Sequence, residues 1–512
     1  MKKIVALLIV LAFALPLFAG GGGGQQAAGP ARNRPTDHVV VGMGGQPASL
    51  DPAGSNDQPS SQVNRQIYNT LVDLDDNMAP VPSLAERWVW EDPTRLRMYL
   101  RRGVRFHNGD ELRASDVKFT LDRAAVSPHI AHITGMIERV DVINDYEILI
   151  TLDNPFVPFL AHLGHPATSI VNERAVRQYG DDYGRNPVGT GPMRFVNWVT
   201  GASIDLVRFD DYWAGPARVR NITFNFIIDP TTRLIALETG EIDLMYGVSQ
   251  SDVSRVQNDP NMVMIQTPGL GTDYIGFNFQ KPPLDDARVR QAINYAIDMD
   301  AVMRAAYFGV NPPANGPISD LVWASAANTL APFTYNQARA RQLLTEAGYP
   351  NGFSTTLVTN EGNNVRLDVA EIVQNMLAQV GIRMDIQLME WGAYLDYTSA
   401  GNHDMFILGW VTVTGDPDYG LSALFHSDNF GAAGNRTFYA NPRLDDLLDQ
   451  GRRETNPTRR EQIYMEAQQI IRDDTPWIWT AVGVNLNASH PSLRGFEPIP
   501  AGHHQLWSIY FE

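Results

Sequence analysis

Two pairs of histidines have the spacing that metal sites on helices use. His129 and His132 are three residues apart, and so are His162 and His165. Residues three apart lie on the same face of a helix, so either pair could give two imidazole ligands to one metal ion. No third ligand accompanies either pair, which favours packing or surface histidines. We therefore expect no metal site and no cofactor.

Motifs of the common enzyme classes are absent from the sequence. There is no phosphate-binding G-x-x-x-x-G-K-[ST], no nucleophile elbow G-x-S-x-G and no H-E-x-x-H. Cysteine is absent too, which excludes disulfides, thiolate metal sites and cysteine nucleophiles. The motif search therefore disfavours an enzyme, and we expect no catalytic residues.

Composition narrows the class of protein further. Hydrophobic residues make up 44% of the 512 residues, which predicts large packed cores in about three domains. The formal net charge is -17, from 40 Lys and Arg against 57 Asp and Glu. Nucleic-acid binding needs basic surface, so we expect no nucleic-acid partner.

The first residues have the pattern of an export signal. Lys2 and Lys3 precede an apolar stretch over 4–18, and Ala19 fits the last position before a cleavage site. The apolar stretch is short for a membrane anchor, the alternative interpretation. Residues 20–36 are a glycine-rich, flexible leader, with glycines where many exported binding proteins carry a lipidated cysteine. We expect a cleaved signal peptide over 1–19 and a soluble periplasmic protein without a lipid anchor.

The elements that position any site are helices and strands in alternation. In the clearest stretch, 355–359 is a strand, 366–380 is an amphipathic helix ended by Gly381, and 382–388 alternates as a second strand. Residues 405–408 are a fully apolar strand of the kind that is covered on both faces. Such mixing predicts a large α/β protein with more than one lobe.

Seven blocks of sequence stand in one order along the chain. They are QPASLDP (46–52), FHNGDELRASDVKFTLDRA (106–124), VGTGPMRF (188–195), LETGEIDLM (237–245), PLDDARVRQAINYAIDMDAV (283–302), EAGYPNGF (346–353) and GDPDYGLSALFHS (415–427). Together they resemble the peptide/nickel family of solute-binding proteins, the receptors of ABC importers, over nearly the whole mature chain.

The resemblance implies a two-lobed α/β periplasmic-binding-protein fold with an extra subdomain in the first lobe. The implied boundaries are 37–52, 186–273 and 485–512 for the core of lobe I, 53–185 for the extra subdomain, and 274–484 for lobe II. Two crossovers would join the lobes, and the ligand would be enclosed when the lobes close about this hinge.

Two charged anchors of the family's dipeptide-binding members are replaced in this sequence. In those members an Asp just after a Gly-Trp pair holds the peptide's α-amine, and an Arg ahead of a long helix in lobe II holds its carboxylate. Counting from Gly409-Trp410 and from Trp391 places Val413 and Asn360 at these positions. We therefore expect simple dipeptides to bind poorly, and longer peptides, modified peptides or neutral polar solutes to bind better.

Other residues near these positions are candidates for the pocket. Asp416 and Asp418 near the first position, and Arg366 near the second, could supply another charge arrangement. Asn363 belongs to the loop over 359–366 that leads into a helix N-terminus, where backbone amides are free to meet polar ligand groups. The aromatic candidates for pocket walls, for which core packing is the alternative, are Trp391, Trp410 and Tyr419.

The resemblance implies a monomeric receptor for a small, peptide-like solute. Its partners would be the permease and ATPase of an ABC importer in the inner membrane. Alternatives on the same fold are receptors for nickel chelates, haem or oligosaccharides. An exported enzyme and a chaperone or sensory receptor are alternatives of other classes.

Overall fold

The computed structural model describes residues 34–512. The predicted signal peptide over 1–19 and most of the leader over 20–36 lie outside the described residues. Arg34, near the end of that leader, donates a 2.7 Å hydrogen bond to the carbonyl oxygen of Glu241 and pairs at 2.9 Å with the buried carboxylate of Asp243. None of the helices within 34–512 is long and apolar enough to cross a membrane.

Eighteen strands, numbered in chain order, form the sheets of the described residues. They are β1 His38–Met43, β2 Val72–Leu74, β3 Pro80–Pro82, β4 Ala85–Asp92, β5 Arg95–Leu100, β6 Ile137–Asn144, β7 Glu147–Leu152, β8 Met193–Val199, β9 Ser203–Arg208, β10 Asn221–Phe226, β11 Leu244–Tyr246, β12 Val263–Phe277, β13 Ser354–Asn360, β14 Arg383–Met389, β15 Met405–Val411, β16 Trp477–Ser489, β17 Leu493–Arg494 and β18 Tyr510–Phe511.

Fifteen α-helices accompany these strands. They are α1 Gln58–Ile67, α2 Ala114–Ala125, α3 Ala131–Thr134, α4 Phe159–His162, α5 Glu173–Tyr179, α6 Pro230–Glu238, α7 Val253–Asn258, α8 Ala287–Ala296, α9 Met299–Ala305, α10 Gln337–Glu346, α11 Asn364–Ala378, α12 Trp391–Ser399, α13 Pro417–Phe425, α14 Pro442–Arg453 and α15 Pro457–Asp474.

Ten strands form one continuous sheet in the order β14-β13-β15-β12-β16-β11-β1-β10-β9-β8. At one end β1 runs parallel to β10 and β11, and we call this half lobe I. At the other end β13 runs parallel to β14 and β15, and we call this half, with α8 to α15, lobe II. The apolar faces of α8 and α11 cover this end in a single buried cluster.

Two long antiparallel strands join the lobes. β12 pairs with β15 of lobe II, β16 pairs with β11 of lobe I, and the two pair with each other along most of their length. Their pairing is irregular between Pro268 and Tyr274. Gly269, Gly271 and Gly483 meet there, and a Cβ atom on Gly269 would lie 3.0 Å from the carbonyl oxygen of Gly483. The two backbones therefore approach closely where the chain passes between the lobes.

An inserted subdomain carries its own four-stranded antiparallel sheet, in the order β4-β5-β7-β6, with α2 packed on it. Its apolar cluster contains residues from Leu71 to Ile170. Helix α1 packs instead with the lobe I cluster through Val63 and Ile67. The architecture is therefore the predicted one of two α/β lobes, two crossovers and an extra subdomain.

Candidate functional site

A cavity of about 630 Å³ lies between the two lobes. On the lobe I side it is lined by the loops that follow β1 and β11 and by the first residues of α1. On the lobe II side it is lined by the ends of β13 and β15 and by the first residues of α11 and α12. In sheets of parallel strands such crevices at the carboxyl ends are where ligands bind.

In three of the helices whose first residues line this cavity, a side chain caps the free amides. Asp57 caps α1, Asn363 caps α11 by accepting a 3.1 Å hydrogen bond from the amide of Arg366, and Glu390 caps α12. The positive end of each helix dipole therefore faces the cavity. The neutral cap of α11 leaves its positive end without a negatively charged cap, so α11 is the best placed of the three to receive an anionic group.

Arg366 is the charged centre of the lobe II wall. Its Nη1 donates to Asn360 Oδ1 at 2.9 Å, its Nη2 lies 3.4 Å from Asp273 Oδ1, and its Nε has no protein partner. Burial raises the pKa of Asp273, and Arg366 opposes that rise. A Cβ atom on Gly409 would overlap Asp273 Oδ1 and lie 3.0 Å from Arg366 Nη2. The glycine of the Gly-Trp pair therefore makes room for this ion pair.

Asp57 supplies a buried carboxylate on the lobe I side. Its oxygens accept hydrogen bonds from the amide of Ser60 at 3.1 Å and the hydroxyl of Ser60 at 2.6 Å. Burial raises the pKa of Asp57, while these bonds and the indole N–H of Trp391, across the cleft, lower it. A cation in the cavity would stabilise the ionised form that burial disfavours.

Aromatic rings form much of the remaining wall. The ring of Trp391 stacks near Tyr394, with centroids 5.9 Å apart, and the ring of Trp410 lies 5.3 Å from that of Tyr419. The indole N–H of Trp391 acts on Asp57, and that of Trp410 has no acceptor among the described residues. The ring faces of both tryptophans can pack against a ligand.

Seven of the nine residues that the sequence predicts for the pocket line this cavity. They are Asn360, Asn363, Arg366, Trp391, Trp410, Val413 and Tyr419. Asp416 and Asp418 do not line it. Both Oδ atoms of Asp416 accept 2.7 Å hydrogen bonds from Arg460, and Asp418, 1% exposed, accepts from Ser422 and Arg452. These two carboxylates serve as internal partners of arginines in α14 and α15.

Five charged residues of the cavity wall escaped the sequence analysis: Asp57, Arg233, Asp273, Glu390 and Arg436. Asp273 could have been found from the sequence. It is the single charged residue in the run over 262–280, which forms β12, a strand buried in its second half. Asp57 could have been predicted only as the N-cap of a helix that begins near Pro59, which is a weaker indication of a binding site. The prediction that simple dipeptides bind poorly rested on Val413 and Asn360 at the two anchor positions and stays a prediction; it did not take into account the carboxylates of Asp57 and Asp273, which line the cavity.

The paired histidines converge on one tyrosine. The ring centroids of His132, His162 and His165 lie 6.0, 6.2 and 4.9 Å from that of Tyr419. His165 Nε2 lies 2.9 Å from the Tyr419 hydroxyl. Among residues 34–512, no group of three or more His, Cys, Asp or Glu side chains is placed to hold a metal ion. In the structure the cluster acts as packing between the inserted subdomain and lobe II.

Comparison with known proteins relates this architecture to one family. Residues 79–432 match the family model described as bacterial extracellular solute-binding proteins, family 5 Middle. A curated relative, the glutathione-binding protein GsiB of Pectobacterium atrosepticum, is 33% identical over 473 residues, covering 90% of this chain and 92% of the relative.

Solved structures give the same result. The periplasmic binding protein DppA of Helicobacter pylori, in complex with the peptide STSA, superposes with a TM-score of 0.88 at 30% identity, covering 93% of this chain and 98% of that one. The oligopeptide-binding protein AppA of Bacillus subtilis, in complex with a nonapeptide, has a TM-score of 0.88 at 26% identity, covering 93% and 99%. The family comprises solute-binding receptors rather than enzymes. The chain therefore belongs to family 5 of the bacterial extracellular solute-binding proteins.

Proposed function

We propose that this protein is the substrate-binding receptor of an ABC importer, and that it captures a small peptide or peptide-like zwitterion between its lobes. One observation carries the proposal: a cation and an anion, Arg366 and Asp57, line opposite walls of one cavity. A free peptide carries the complementary charges at its two ends. Each lobe would hold one end, so the ligand itself would stabilise the closed form.

The carboxylate of the ligand belongs at Arg366. The positive charge of the guanidinium, which lines the cavity, and the start of α11 both favour an anion there. Asn360, at the position that the family's arginine would occupy, accepts from Arg366 Nη1 and so orients the guanidinium.

The ammonium of the ligand belongs at Asp57. A buried carboxylate needs a charged or hydrogen-bonding partner, and an ammonium at 3 Å or so would give both. Trp391 and Trp410 would pack on the apolar part of the ligand, as the aromatic walls of such pockets do. The ligands named for the three relatives above are glutathione, the peptide STSA and a nonapeptide, which are zwitterions of this kind.

Titration calorimetry with matched ligands tests this assignment. We expect free dipeptides to tetrapeptides and glutathione to bind the refolded, ligand-free protein, and oligosaccharides not to bind. An N-acetyl group or a C-terminal amide should weaken binding by about 10- to 100-fold, since each removes one charge-assisted contact.

Two variants test which residue binds each charged end of the ligand. Asp57→Asn should remove the preference for a free amine over an acetylated one, and Arg366→Met the preference for a free carboxylate over an amide. Asp229→Asn is the matched control, because Asp229 caps α6 but does not line the cavity. Unchanged preferences in both variants would exclude this zwitterion model.

The same proposal implies where the protein is located and which proteins it contacts. The protein would be a monomer in the periplasm, released from its signal peptide after Ala19, and its closed form would engage the permease and its ATPase. Intact mass of the periplasmic protein tests the processing. A mature protein that retains Met1 or carries a lipid would contradict it.

A further inference from the structure

Among residues 34–512, five arginines are buried: Arg65, Arg233, Arg290, Arg436 and Arg460. A guanidinium has five N–H donors, so a buried one needs several acceptors. Arg460 bonds to the carboxylate of Asp416 and the carbonyl oxygen of Gly451, and Arg65 pairs with Asp73. Arg233 and Arg290 each donate to four backbone carbonyl oxygens. Arg436 is the exception.

Arg436 makes one hydrogen bond through its guanidinium, from Nε to Thr398 Oγ1 at 3.1 Å. Its two terminal amino groups have no acceptor and no carboxylate among the described residues, although the residue is only 7% exposed. Burial lowers its pKa, and the groups that oppose the fall are the tyrosines 274 and 394 rather than an acid. An unpaired buried cation is costly unless something else supplies the anion.

Arg436, although buried, lines the cavity. It lines the lobe II wall beside Trp410, whose ring would lie 3.3 Å from a Cβ atom on Gly434 of the same loop. The guanidiniums of Arg436 and Arg366 both oppose the rise that burial causes in the pKa of Tyr394, so the two cations lie close to one ring. A single small ligand can therefore reach both.

We propose that Arg436 is a second anion subsite of the cavity, which selects peptide-like ligands with an acidic group in addition to the carboxylate held by Arg366. This inference rests on the proposed function. The ligand class is a short peptide with two free carboxylates and one ammonium, whether the second carboxylate belongs to an acidic side chain or to a γ-linked glutamyl group.

Pairs of peptides that differ in one acidic group test the proposal on the unaltered protein. The probes are tripeptides of alanine with Glu or Gln at each position in turn, and glutathione. We expect at least one Glu peptide to bind about 10- to 100-fold more tightly than its Gln partner, the effect of one charge-assisted contact. Equal affinities within every pair would overturn the proposal.

The variant Arg436→Met then assigns the preference to this residue. In this variant the affinity of a Glu peptide divided by that of its Gln partner should fall to about one. The Gln peptides should stay within a few-fold of their original affinity. Arg290→Met is the matched control, because Arg290 is equally buried in lobe II but does not line the cavity. If Arg436→Met does not fold, Arg436→Lys replaces it, with a reduced ratio expected. A ratio unchanged by the variant would overturn the assignment.

A further arm separates this inference from the proposed function. Glutarate and its monoamide carry two and one carboxylates without a peptide. In one outcome no peptide of the panel binds, but glutarate raises the melting temperature more than its monoamide does, and only when Arg436 is present. The peptide proposal then fails and the anion subsite stands. If peptides bind without any acidic preference, the subsite fails and the peptide receptor stands.

Discussion

At the scale of single residues, charge pairing decides which acids can serve a ligand. Asp57 and Asp273 line the cavity, whereas the carboxylates of Asp416 and Asp418 pair with Arg460 and Arg452. The two sets of acids differ in their partners, not in residue type. Sequence proximity to the Gly-Trp pair was therefore a poor guide to function at these positions.

The variant Asp418→Asn should destabilise the fold without altering ligand affinity. It removes the buried carboxylate that pairs with Arg452, which keeps only its 3.5 Å pair with Asp449, so we expect a loss of up to about 3 kcal/mol in the free energy of unfolding. Urea denaturation measures the loss, and calorimetry on the folded fraction measures affinity. The control Asp428→Asn removes an exposed carboxylate and should change neither. A loss of affinity with unchanged stability would return Asp418 to the binding site.

At the scale of elements, the hydrophobic pattern located the strands and helices of lobe II within a few residues. The predicted strand over 355–359 is β13, and the predicted helix over 366–380 is α11, which begins two residues earlier because Asn363 caps it. The pairing register of the strands determines which side chains meet at the site. β12 and β15 pair so that Asp273 lies opposite Gly409, which brings the acid to Arg366.

The variant Gly409→Ala should disturb this register-dependent pair. The added methyl group overlaps Asp273 Oδ1 and crowds Arg366 Nη2, so the guanidinium must move away from its position in the cavity. We expect calorimetry to show at least tenfold weaker binding of free peptides, in proportion to one lost charge-assisted contact. Gly45→Ala is the control, because it lines the same cavity and its Cβ would meet only Pro59 at an ordinary 3.7 Å. Equal affinities for both variants would mean that Arg366 does not anchor the ligand.

At the scale of the whole molecule, a buried histidine cluster lies where the inserted subdomain meets lobe II. Burial lowers the pKa of His132 to about 3 and that of His165 well below its usual value, and it lowers that of His162 against the opposing effect of Asp418. The Nδ1 of His165 accepts from the amide of Ala167, so protonation would break that bond. The charged and titratable groups that act on the cluster are Asp416, Asp418, Arg452 and His503.

Stability should therefore fall as the medium is acidified. The pKa of these histidines is lower in the folded than in the unfolded protein, so the unfolded state takes up protons first as pH falls below about 6.5. Their contribution is complete above that pH, and for His165, 2% exposed, about 2 kcal/mol is lost by pH 5. Melting curves between pH 8 and pH 5 should show the fall, and His165→Gln should reduce it. His129→Gln is the control, and an identical pH dependence in all three proteins would contradict this account.

Lobe closure is the second expectation at this scale. The lobes are joined by β12 and β16, whose pairing is irregular at Gly269, Gly271 and Gly483, so rotation there disturbs few hydrogen bonds. Small-angle scattering should give a smaller radius of gyration with a bound peptide than without it, and tryptophan fluorescence should change at the same concentrations. Binding by calorimetry with an unchanged radius would exclude the hinge.

The sequence by itself determined the class of fold, the loop over 359–366 that enters the cavity, and the resemblance to a receptor family. These depend on local periodicity, caps and contiguous blocks, which a chain shows without being folded. Only the tertiary structure decided that Asp57, Asp273 and Arg436 share one cavity and that Asp416 and Asp418 do not. The charge state and availability of each group depend on neighbours from distant segments, such as Arg460 of α15 for Asp416, and on burial, and both arise only when the lobes are assembled.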